Sequence, residues 1–273
     1  MTDNDLSLLH LVPHVLRARD FRLYTSGSRR LVDLWLNGGA AVLGHTPASL
    51  LREIKNTASR GLYAPFPHFT QQRFIKALSR LLPGRSFRIY AAPPASGLNP
   101  QLWRPFLDLY QSYNDSEAAN MPEHSVPAAA QLVIPVLPGI QSWRNGLPQG
   151  LCVYAVLKEF EEEIFSKLPP DDFLPPVLLA TAARGVWDLI AAKQERENQQ
   201  WQRVNKILKN SQWQRRGIYL FPRNRLSYDA WGALFRQFLD AGFLLPPYQE
   251  HPLILPGILS PGEEAKLAEV LML

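Results

Sequence analysis

The chain has 273 residues, of which 46% are hydrophobic and 19% are charged. That much apolar material can form one large domain or two smaller ones, and it excludes a disordered chain. No run of about 18 consecutive apolar residues is present, so the sequence predicts neither a membrane-spanning helix nor a membrane partner. The formal net charge of +5 is modest for this length and gives no argument for nucleic acid by itself.

Two features bear on the cellular compartment. Asp3 and Asp5 stand where a secretory signal would carry basic residues, which predicts a cytoplasmic protein. The single cysteine, Cys152, excludes an internal disulfide and any site built from several cysteines. Because Cys152 lies within an apolar run, we expect a buried structural thiol rather than a nucleophile.

The first 90 residues have the pattern of a hairpin followed by two helices. Turn residues at 25–28 precede an apolar run at 31–36, which predicts the hairpin. Thr46 and Pro47 predict a helix start, with residues 50, 51, 54 and 58 on one face. A second helix is predicted from about 70 to 82, with four residues facing inward: Phe74, Ala77, Leu78 and Leu81.

The middle of the chain contains three apolar runs that are typical of buried strands, at 88–92, 131–134 and 151–157. The polar segment 112–127 between them predicts a surface loop. Segment 158–172 holds six acids and two lysines, a pattern that favours a solvated helical face over a metal site.

The last hundred residues are mainly helical in pattern. From Pro176 a helix of about thirty residues is predicted, with Trp187, Ile190, Trp201, Val204 and Leu208 inward. A strand at 217–221 and a helix between Ser227 and Gly242 follow. A strand pair is then predicted at 243–245 and 253–255, and a capping box from Ser260 to Glu263 opens a final helix.

Standard catalytic motifs are absent: there is no phosphate-binding loop, dinucleotide fingerprint, zinc-protease helix or serine-hydrolase elbow. His10 and His14 have the spacing of two ligands on one helix face. No third ligand is near in sequence, so we expect a surface role and no metal site.

Residues 199–225 contain seven basic side chains and no acid, interleaved with Trp201, Trp213 and Tyr219. Such a stripe can bind phosphates or single-stranded nucleic acid, and the candidate anion-binding residues are Arg203, Lys206, Arg215 and Arg216. The simpler interpretation places the aromatic rings in the core and the charges in solvent, and it is favoured. Nucleic acid is therefore the less favoured partner.

Several segments in order resemble class III aminotransferases, which belong to the fold type I pyridoxal-phosphate (PLP) enzymes. At the N-terminus these are Arg22-Leu-Tyr24, residues 27–34 and the Gly-His-Thr-Pro stretch that ends at Pro47. Ser96-Gly97 falls where the family has its phosphate-contacting Ser-Gly. Looser matches follow at 145–148, 176–190, 239–246 and 252–255.

This resemblance implies an α/β fold of reduced fold type I architecture, with a central, mostly parallel sheet flanked by helices. A small α+β domain would be formed by both chain ends. The implied segments are an N-terminal part at 1–60, a reduced large domain at 61–210 and a C-terminal domain at 211–273. Ser96 and Gly97 would be the remnant of the cofactor-phosphate site.

The departures from the family concern its chemistry. The chain is shorter than the family norm between 96 and 145, and it has no acidic strand to hold the pyridine nitrogen. The segment 140–145, where the family has its Schiff-base lysine, contains Arg144, which cannot form an imine. His251 stands where the family commonly has an arginine. Lys158 and Lys167 follow on the acidic segment and are weak replacements.

Three hypotheses remain. The first is a catalytically degenerate aminotransferase-like protein without bound cofactor, which pairs with a second copy or with a related intact subunit. The second is an active PLP-dependent enzyme that uses an unrecognised lysine. The third is a binding module whose basic stripe meets nucleic acid or an acidic partner.

Overall fold

The computed structural model describes residues 5–94, 103–105, 129–133, 142–144, 147–192 and 201–272. The chain divides into two compact units, of which the first combines Met1–Thr46 with Ala192–Leu273 and the second is Pro47–Ala191. Both chain ends thus belong to one unit. The sequence analysis drew its boundaries at 60 and 210 instead, which separated the helix after residue 47 from the later helix on which it packs.

The N-terminal part of the first unit is a 3-10 helix followed by three antiparallel strands. The 3-10 helix is Asp5–Leu11, and the strands are β1 (Val15–Arg19), β2 (Arg22–Thr25) and β3 (Arg30–Asp33). The turn between β2 and β3 contains Gly27 at φ 78°, a backbone conformation that glycine adopts readily. β1 pairs with β2 and β2 with β3, so the predicted hairpin is confirmed.

The C-terminal part of this unit contributes three helices and four short strands. They are α5 (Gln202–Leu208), β10 (Trp213–Arg216), β11 (Tyr219–Pro222), α6 (Tyr228–Asp240), β12 (Phe243–Leu244), β13 (Leu253–Ile254) and α7 (Pro261–Val270). β10, β11 and β13 form an antiparallel sheet. β12 joins the N-terminal sheet by pairing in parallel with β3.

The predicted pairing of the segments at 243–245 and 253–255 is wrong, because β12 and β13 belong to different sheets. Leu34 separates them. Its N–H donates to the carbonyl of Leu244 at 2.9 Å, and its carbonyl accepts the N–H of Ile254 at 2.6 Å. The residue after β3 therefore hydrogen-bonds to both segments, and the two segments do not pair with each other.

Helix α6 covers the core of this unit, and its local signals act as predicted. The Ser227 hydroxyl accepts the N–H of Ala230 at 3.2 Å, which caps the helix start. Its inward face consists of Trp231, Leu234, Phe235 and Phe238, all of which are buried. The Phe238 ring lies 6.2 Å from that of Trp213 on β10 and 6.5 Å from that of Phe243 on β12, so α6 contacts a strand of each sheet.

Helix α7 begins with the predicted capping box, in which Ser260 and Glu263 exchange hydrogen bonds. The Glu263 carboxylate also accepts two bonds from the Arg22 guanidinium on β2, at 2.9 and 2.6 Å, and lies 3.2 Å from Arg30. The bonds from Arg22 hold the pKa of Glu263 down at about 2. One side chain thus caps the last helix and fixes it to the N-terminal strands.

In the described part of the second unit the helices are α1 (Ala48–Ala58), α2 (Thr70–Leu81), α3 (Glu161–Phe165) and α4 (Pro176–Ala191). α2 and its four buried residues agree with the prediction. α1 begins after Pro47, and neither Pro47 nor a neighbour provides a side-chain cap. Leu50 is buried but Leu51 is exposed, because only a narrow face of α1 packs on α4.

The main sheet of this unit has the order β4-β9-β6-β5, from β4 (Arg85–Tyr90), β9 (Cys152–Leu157), β6 (Ala129–Val133) and β5 (Trp103–Pro105). The three predicted strands are present. The expectation of a mostly parallel sheet is wrong for the described strands, because β9 runs antiparallel to both β4 and β6 and only β5 and β6 are parallel.

The described part of the connection between β6 and β9 is a separate hairpin of β7 (Ser142–Arg144) and β8 (Leu147–Gln149). Antiparallel neighbours need no crossover helix between them, whereas parallel neighbours usually do.

Helices pack on both faces of this sheet. Phe87 and Ile89 on β4 pair with Ala155 and Val153 on β9 and share one face, next to α2. On the opposite face, Val156 and Ala129 form a cluster with Ile164 of α3 and Leu168. The sheet is therefore buried on both sides near α3.

The helix of about thirty residues predicted from Pro176 is wrong. α4 ends at Ala191, α5 begins at Gln202, and residues 193–200 lie outside the described part. Trp187 is exposed, while Val186 and Leu189 are fully buried. The prediction of one long helix used the spacing of the tryptophans. The buried face of α4 consists instead of smaller aliphatic residues.

We predict that Glu263→Gln destabilises the protein by roughly 1 to 2 kcal/mol at pH 7. The folded pKa of about 2 lies below the unfolded value, so the stabilisation is present above pH 5 and is lost as the pH falls towards 2. Urea unfolding at pH 7 and pH 3 measures this difference. Glu269→Gln, an exposed change on the same helix, is the control and leaves stability unchanged. Equal effects of the two variants would contradict the prediction.

Candidate functional site

A buried carboxylate in the first unit holds an unusual turn. Asp33, the last residue of β3, accepts the backbone N–H groups of Trp35 at 2.8 Å and Leu36 at 2.9 Å through Oδ1. Leu36 and Asn37 have φ angles of 48° and 50°, in the left-handed region that favours glycine. Backbone strain of this kind persists where surrounding contacts impose it, and it is concentrated at functional sites.

The other oxygen of this carboxylate meets a histidine. Asp33 Oδ2 lies 2.9 Å from His45 Nε2, and the two side chains are 3% and 8% exposed. The His45 backbone N–H donates to the Asp20 carbonyl at 2.7 Å. At Gly44, with φ 92°, a Cβ would lie only 3.2 Å from that same carbonyl. The glycine thus permits the close approach that brings His45 onto Asp33.

A second histidine lies beside the same turn. His251 is 1% exposed, and its Nδ1 accepts the indole N–H of Trp35 at 3.2 Å. Its ring packs against Tyr248 with a centroid distance of 4.9 Å. The sequence analysis placed His251 where the resembled family has an arginine. Here it is a buried hydrogen-bonding partner of the turn.

We call Asp33, Trp35, Leu36, His45 and His251 the turn cluster. It can hold a proton between a carboxylate and an imidazole, and it fixes the backbone of residues 36–39. Because Asp33, Leu36 and His251 are buried and the His45 side chain is nearly so, the cluster acts by positioning that backbone. In the sequence, Asp33 and His45 stand out only as members of the motifs at 27–34 and 44–47. The signal in the sequence that could have identified this site is the position of an acid, Asp33, within the apolar run 31–36.

In the second unit, the candidate phosphate residues Ser96 and Gly97 lie outside the described residues. The strand that leads towards them is described, and acids occupy its end. The N–H of Ala91, five residues before Ser96, donates to Asp172 Oδ2 at 2.9 Å. The N–H of Ile89 donates to Asp171 Oδ1 at 2.9 Å. These N–H groups are therefore bonded to carboxylates rather than available to a phosphate.

The loop at residues 169–172, which contains both acids, also forms other hydrogen bonds with the end of β4. The Tyr90 hydroxyl donates to the Pro169 carbonyl at 2.7 Å, and the Asp172 N–H donates to the Ile89 carbonyl at 3.0 Å. Tyr90 packs edge to face on Tyr154, beside the buried Cys152. Burial raises the pKa of both tyrosines to about 12. Cys152 is fully buried, as predicted.

PLP chemistry in the resembled family requires a lysine that forms the imine. The sequence has eight lysines and none between residues 77 and 157. Seven are described, including Lys158 and Lys167, and every one of the seven is exposed. The eighth, Lys193, lies outside the described residues. A lysine that forms an internal imine is normally enclosed, because desolvation favours its neutral form.

The cofactor also requires a carboxylate beside its pyridine nitrogen. None of the six described strands of the second unit contains an acid or a lysine; their sequences are RSFRIY, WRP, AAQLV, SWR, LPQ and CVYAVL. The described residues therefore do not fit the lysine and carboxylate that hold this cofactor.

The basic stripe lies in the first unit, on α5 and the β10–β11 hairpin. Its aromatic members Trp201, Trp213 and Tyr219 are buried, as the simpler interpretation expected. The Trp201 indole N–H donates to the Pro256 carbonyl at 3.2 Å. Four candidate anion-binding residues lie on two elements: Arg203 and Lys206 on α5, and Arg215 and Arg216 on β10.

His10 and His14 are both exposed, which confirms the expected surface position, and they share no helix face because the 3-10 helix ends at Leu11. In the part of the chain that the structure describes, no three His, Cys, Asp or Glu side chains form a group that could hold a metal ion.

Comparison with known proteins gives relatives of the sequence and of the fold. No protein-family model matches the chain. It is 27% identical over 275 residues to an uncharacterised protein of Treponema pallidum, and the alignment covers 89% of each chain. It is 44% identical over 71 residues to an uncharacterised protein of Borreliella burgdorferi, which covers 26% of each chain.

Solved structures with a similar fold are aminotransferases. The ornithine δ-aminotransferase of Plasmodium falciparum aligns with a TM-score of 0.62 at 11% identity, covering 94% of this chain and 91% of that one. An ω-transaminase from Sphaerobacter thermophilus gives 0.60 at 11% identity, with coverage of 95% and 90%. The acetylornithine aminotransferase of Elizabethkingia anophelis gives 0.56 at 10% identity, with coverage of 99% and 98%.

This protein has the fold of the PLP-dependent aminotransferases. At such low identity the similarity establishes the fold alone, and the mostly parallel sheet that the sequence motifs implied is not found among the described strands. None of the described helices is long and apolar enough to cross a membrane.

We predict that Asp33→Ala destabilises the protein by roughly 2 to 4 kcal/mol, since it leaves two backbone N–H groups and His45 without their acceptor. Denaturant unfolding measures the loss. Asp240→Ala, at an exposed aspartate of the same unit, is the control and changes stability by less than about 0.5 kcal/mol. An Asp33→Ala protein as stable as this control would refute the role of the carboxylate in holding the turn.

Proposed function

We propose that this chain is a catalytically degenerate aminotransferase-like protein, which keeps the architecture of the PLP enzymes without forming an internal imine and acts through binding. The observation that carries the proposal is the exposure of all seven described lysines together with the absence of any lysine from 77 to 157. An enzyme of this kind cannot anchor its cofactor without an enclosed lysine.

The end of β4 supports the same proposal. Asp171 and Asp172 accept the backbone N–H groups of Ile89 and Ala91 in the stretch that leads to Ser96. These two N–H groups at the described end of β4 are therefore bonded to carboxylates and are not free to bind an anion.

The proposal predicts that stoichiometric PLP, followed by borohydride, produces no adduct concentrated at one lysine. Intact-mass and peptide mass spectrometry measure the extent and position of labelling. We expect low labelling spread over exposed lysines, because such lysines react without a pocket to select one. Lys193→Gln and its matched control Lys55→Gln are both expected to label as the unaltered protein does.

A stoichiometric adduct at one position would overturn the proposal. Loss of that adduct in Lys193→Gln but not in Lys55→Gln would identify Lys193 as an imine lysine. An adduct at Lys158 or Lys167 would identify the enzyme that the second hypothesis describes. In either case the chain would be a PLP-dependent enzyme with a displaced lysine.

We further propose that the chain acts as a homodimer, the partner that the family resemblance implied. Two loops of the second unit support an interface. The Val177 N–H donates to the Leu62 carbonyl at 3.2 Å, and the Gln71 amide donates to Asp171 at 3.1 Å. These joined loops carry four aromatic residues that are 53% to 62% exposed, namely Tyr63, Phe66, Phe69 and Phe173. Exposed aromatic residues grouped in this way mark interaction surfaces.

We predict that the unaltered protein has twice the 30.9 kDa chain mass in light scattering at micromolar concentration. Tyr63→Ser with Phe66→Ser is expected to weaken the dimer at least about tenfold, because aromatic anchors dominate interfaces. Leu16→Ser, at a residue 75% exposed in the other unit, is the control and keeps the dimer. A monomeric unaltered protein would exclude the homodimer and direct the search to a related intact subunit.

A further inference from the structure

A cluster of cations on the first unit lacks acidic partners. We call Arg203, Lys206, Lys209, Arg215 and Arg223 the basic surface. All five residues are exposed. Among the ion pairs of the described residues, none includes any of these five side chains. Like charges brought together on one unit without a counter-charge raise the local positive potential.

The neighbours of these cations share one property. Every exposed residue from 202 to 225 has a side-chain N–H donor, and none has a carboxylate or an apolar side chain: Gln202, Arg203, Lys206, Lys209, Asn210, Gln212, Gln214, Arg215, Arg223, Asn224 and Arg225. Two acids contact this segment, and neither pairs with a side chain of the basic surface. Glu264 accepts the backbone N–H of Arg203 at 2.7 Å, and Glu250 pairs with Arg225 at 3.0 Å, so Arg225 is not counted in the basic surface.

Two of the guanidinium groups are held in place by the backbone. Arg223 donates to the carbonyls of Ser211 at 3.2 Å and Leu208 at 3.4 Å. Arg215 bonds the Gly217 carbonyl and lies over the Trp201 ring at 5.8 Å. Partial burial lowers the pKa of Arg215, as expected for a cation that has lost water without gaining an acid. Cations fixed in this way lose little entropy when they bind an anion.

The side chains exposed on the basic surface indicate which class of partner it can bind. A protein interface needs apolar or aromatic anchors at its centre, and none is exposed between 202 and 225. Single-stranded nucleic acid needs exposed aromatic rings on which bases stack, but Trp201, Trp213 and Tyr219 are buried. A surface of Arg, Lys, Asn and Gln donors matches phosphate oxygens, which only accept hydrogen bonds.

We propose that the basic surface binds the sugar–phosphate backbone of a double-stranded nucleic acid without selecting its sequence. The net charge of the whole chain gave no indication of this, because acids elsewhere offset a locally basic segment. The proposal does not depend on the outcome of the PLP question, since it needs only the charge and the exposure of the basic surface.

Fluorescence anisotropy with a labelled 20-base-pair duplex tests this proposal. We expect a dissociation constant between roughly 1 and 100 μM near physiological salt, typical of non-specific binding. With about five phosphates contacted, the affinity falls on the order of 10² to 10³-fold between 50 and 200 mM salt. A single strand of the same length is expected to bind more weakly.

The test variant is the triple change Arg203→Gln and Lys206→Gln on α5 with Lys209→Gln at its C-cap. The bond from the Arg203 backbone to Glu264 survives it, because that bond uses the main-chain N–H. We expect affinity to fall at least about tenfold and the salt slope to decrease by about three. The matched control removes the same charge from exposed sites of the second unit, through Arg52→Gln, Lys55→Gln and Lys76→Gln.

Three results would overturn the proposal. The first is an equal loss of affinity in the test and control variants, which would mean that only net charge acts. The second is no binding of the duplex at 50 mM salt. The third is tight binding of polyglutamate that the duplex does not displace, which would identify an acidic protein segment as the partner. Circular dichroism of both variants verifies that they remain folded.

Discussion

The first unit depends on an ion pair between residues 241 positions apart. Glu263 begins the last helix and pairs with Arg22 in the second strand, so the unit forms only when both chain ends meet. The parallel pairing of β12 with β3 makes the same demand. Such long-range contacts cost loop-closure entropy before they stabilise anything. The ion pair and the strand pairing therefore reinforce each other, and the position of every other element in this unit follows from them.

The turn cluster shows how polar groups are tolerated inside this unit. Asp33 is buried, yet its two oxygens accept two backbone N–H groups and face His45. A buried carboxylate with these partners imposes a left-handed backbone at Leu36 that a solvent-exposed loop would abandon. The side chains that hold this turn include no lysine, so the turn does not depend on one.

The sequence predicted the candidate sites unevenly. It identified the basic residues by number, because a charge pattern is local, and it favoured buried aromatic rings among them, which the burial of Trp201 and Trp213 confirms. It also gave no role to Asp33 and His45, which are 12 residues apart and meet only through the close approach at Gly44. Sites made by contact between distant segments leave little trace in a single sequence.

The sequence by itself determined the features that neighbouring residues control: the β2–β3 hairpin, the cap at Ser227, the capping box at Ser260 and the buried face of α2. The tertiary structure decided strand direction, the separation of β12 from β13 and the end of α4. The physical reason is the distance along the chain between the residues that determine each feature. Caps and periodicity are satisfied within one turn or a few residues, whereas an apolar run carries no information about which strand it joins or in which direction.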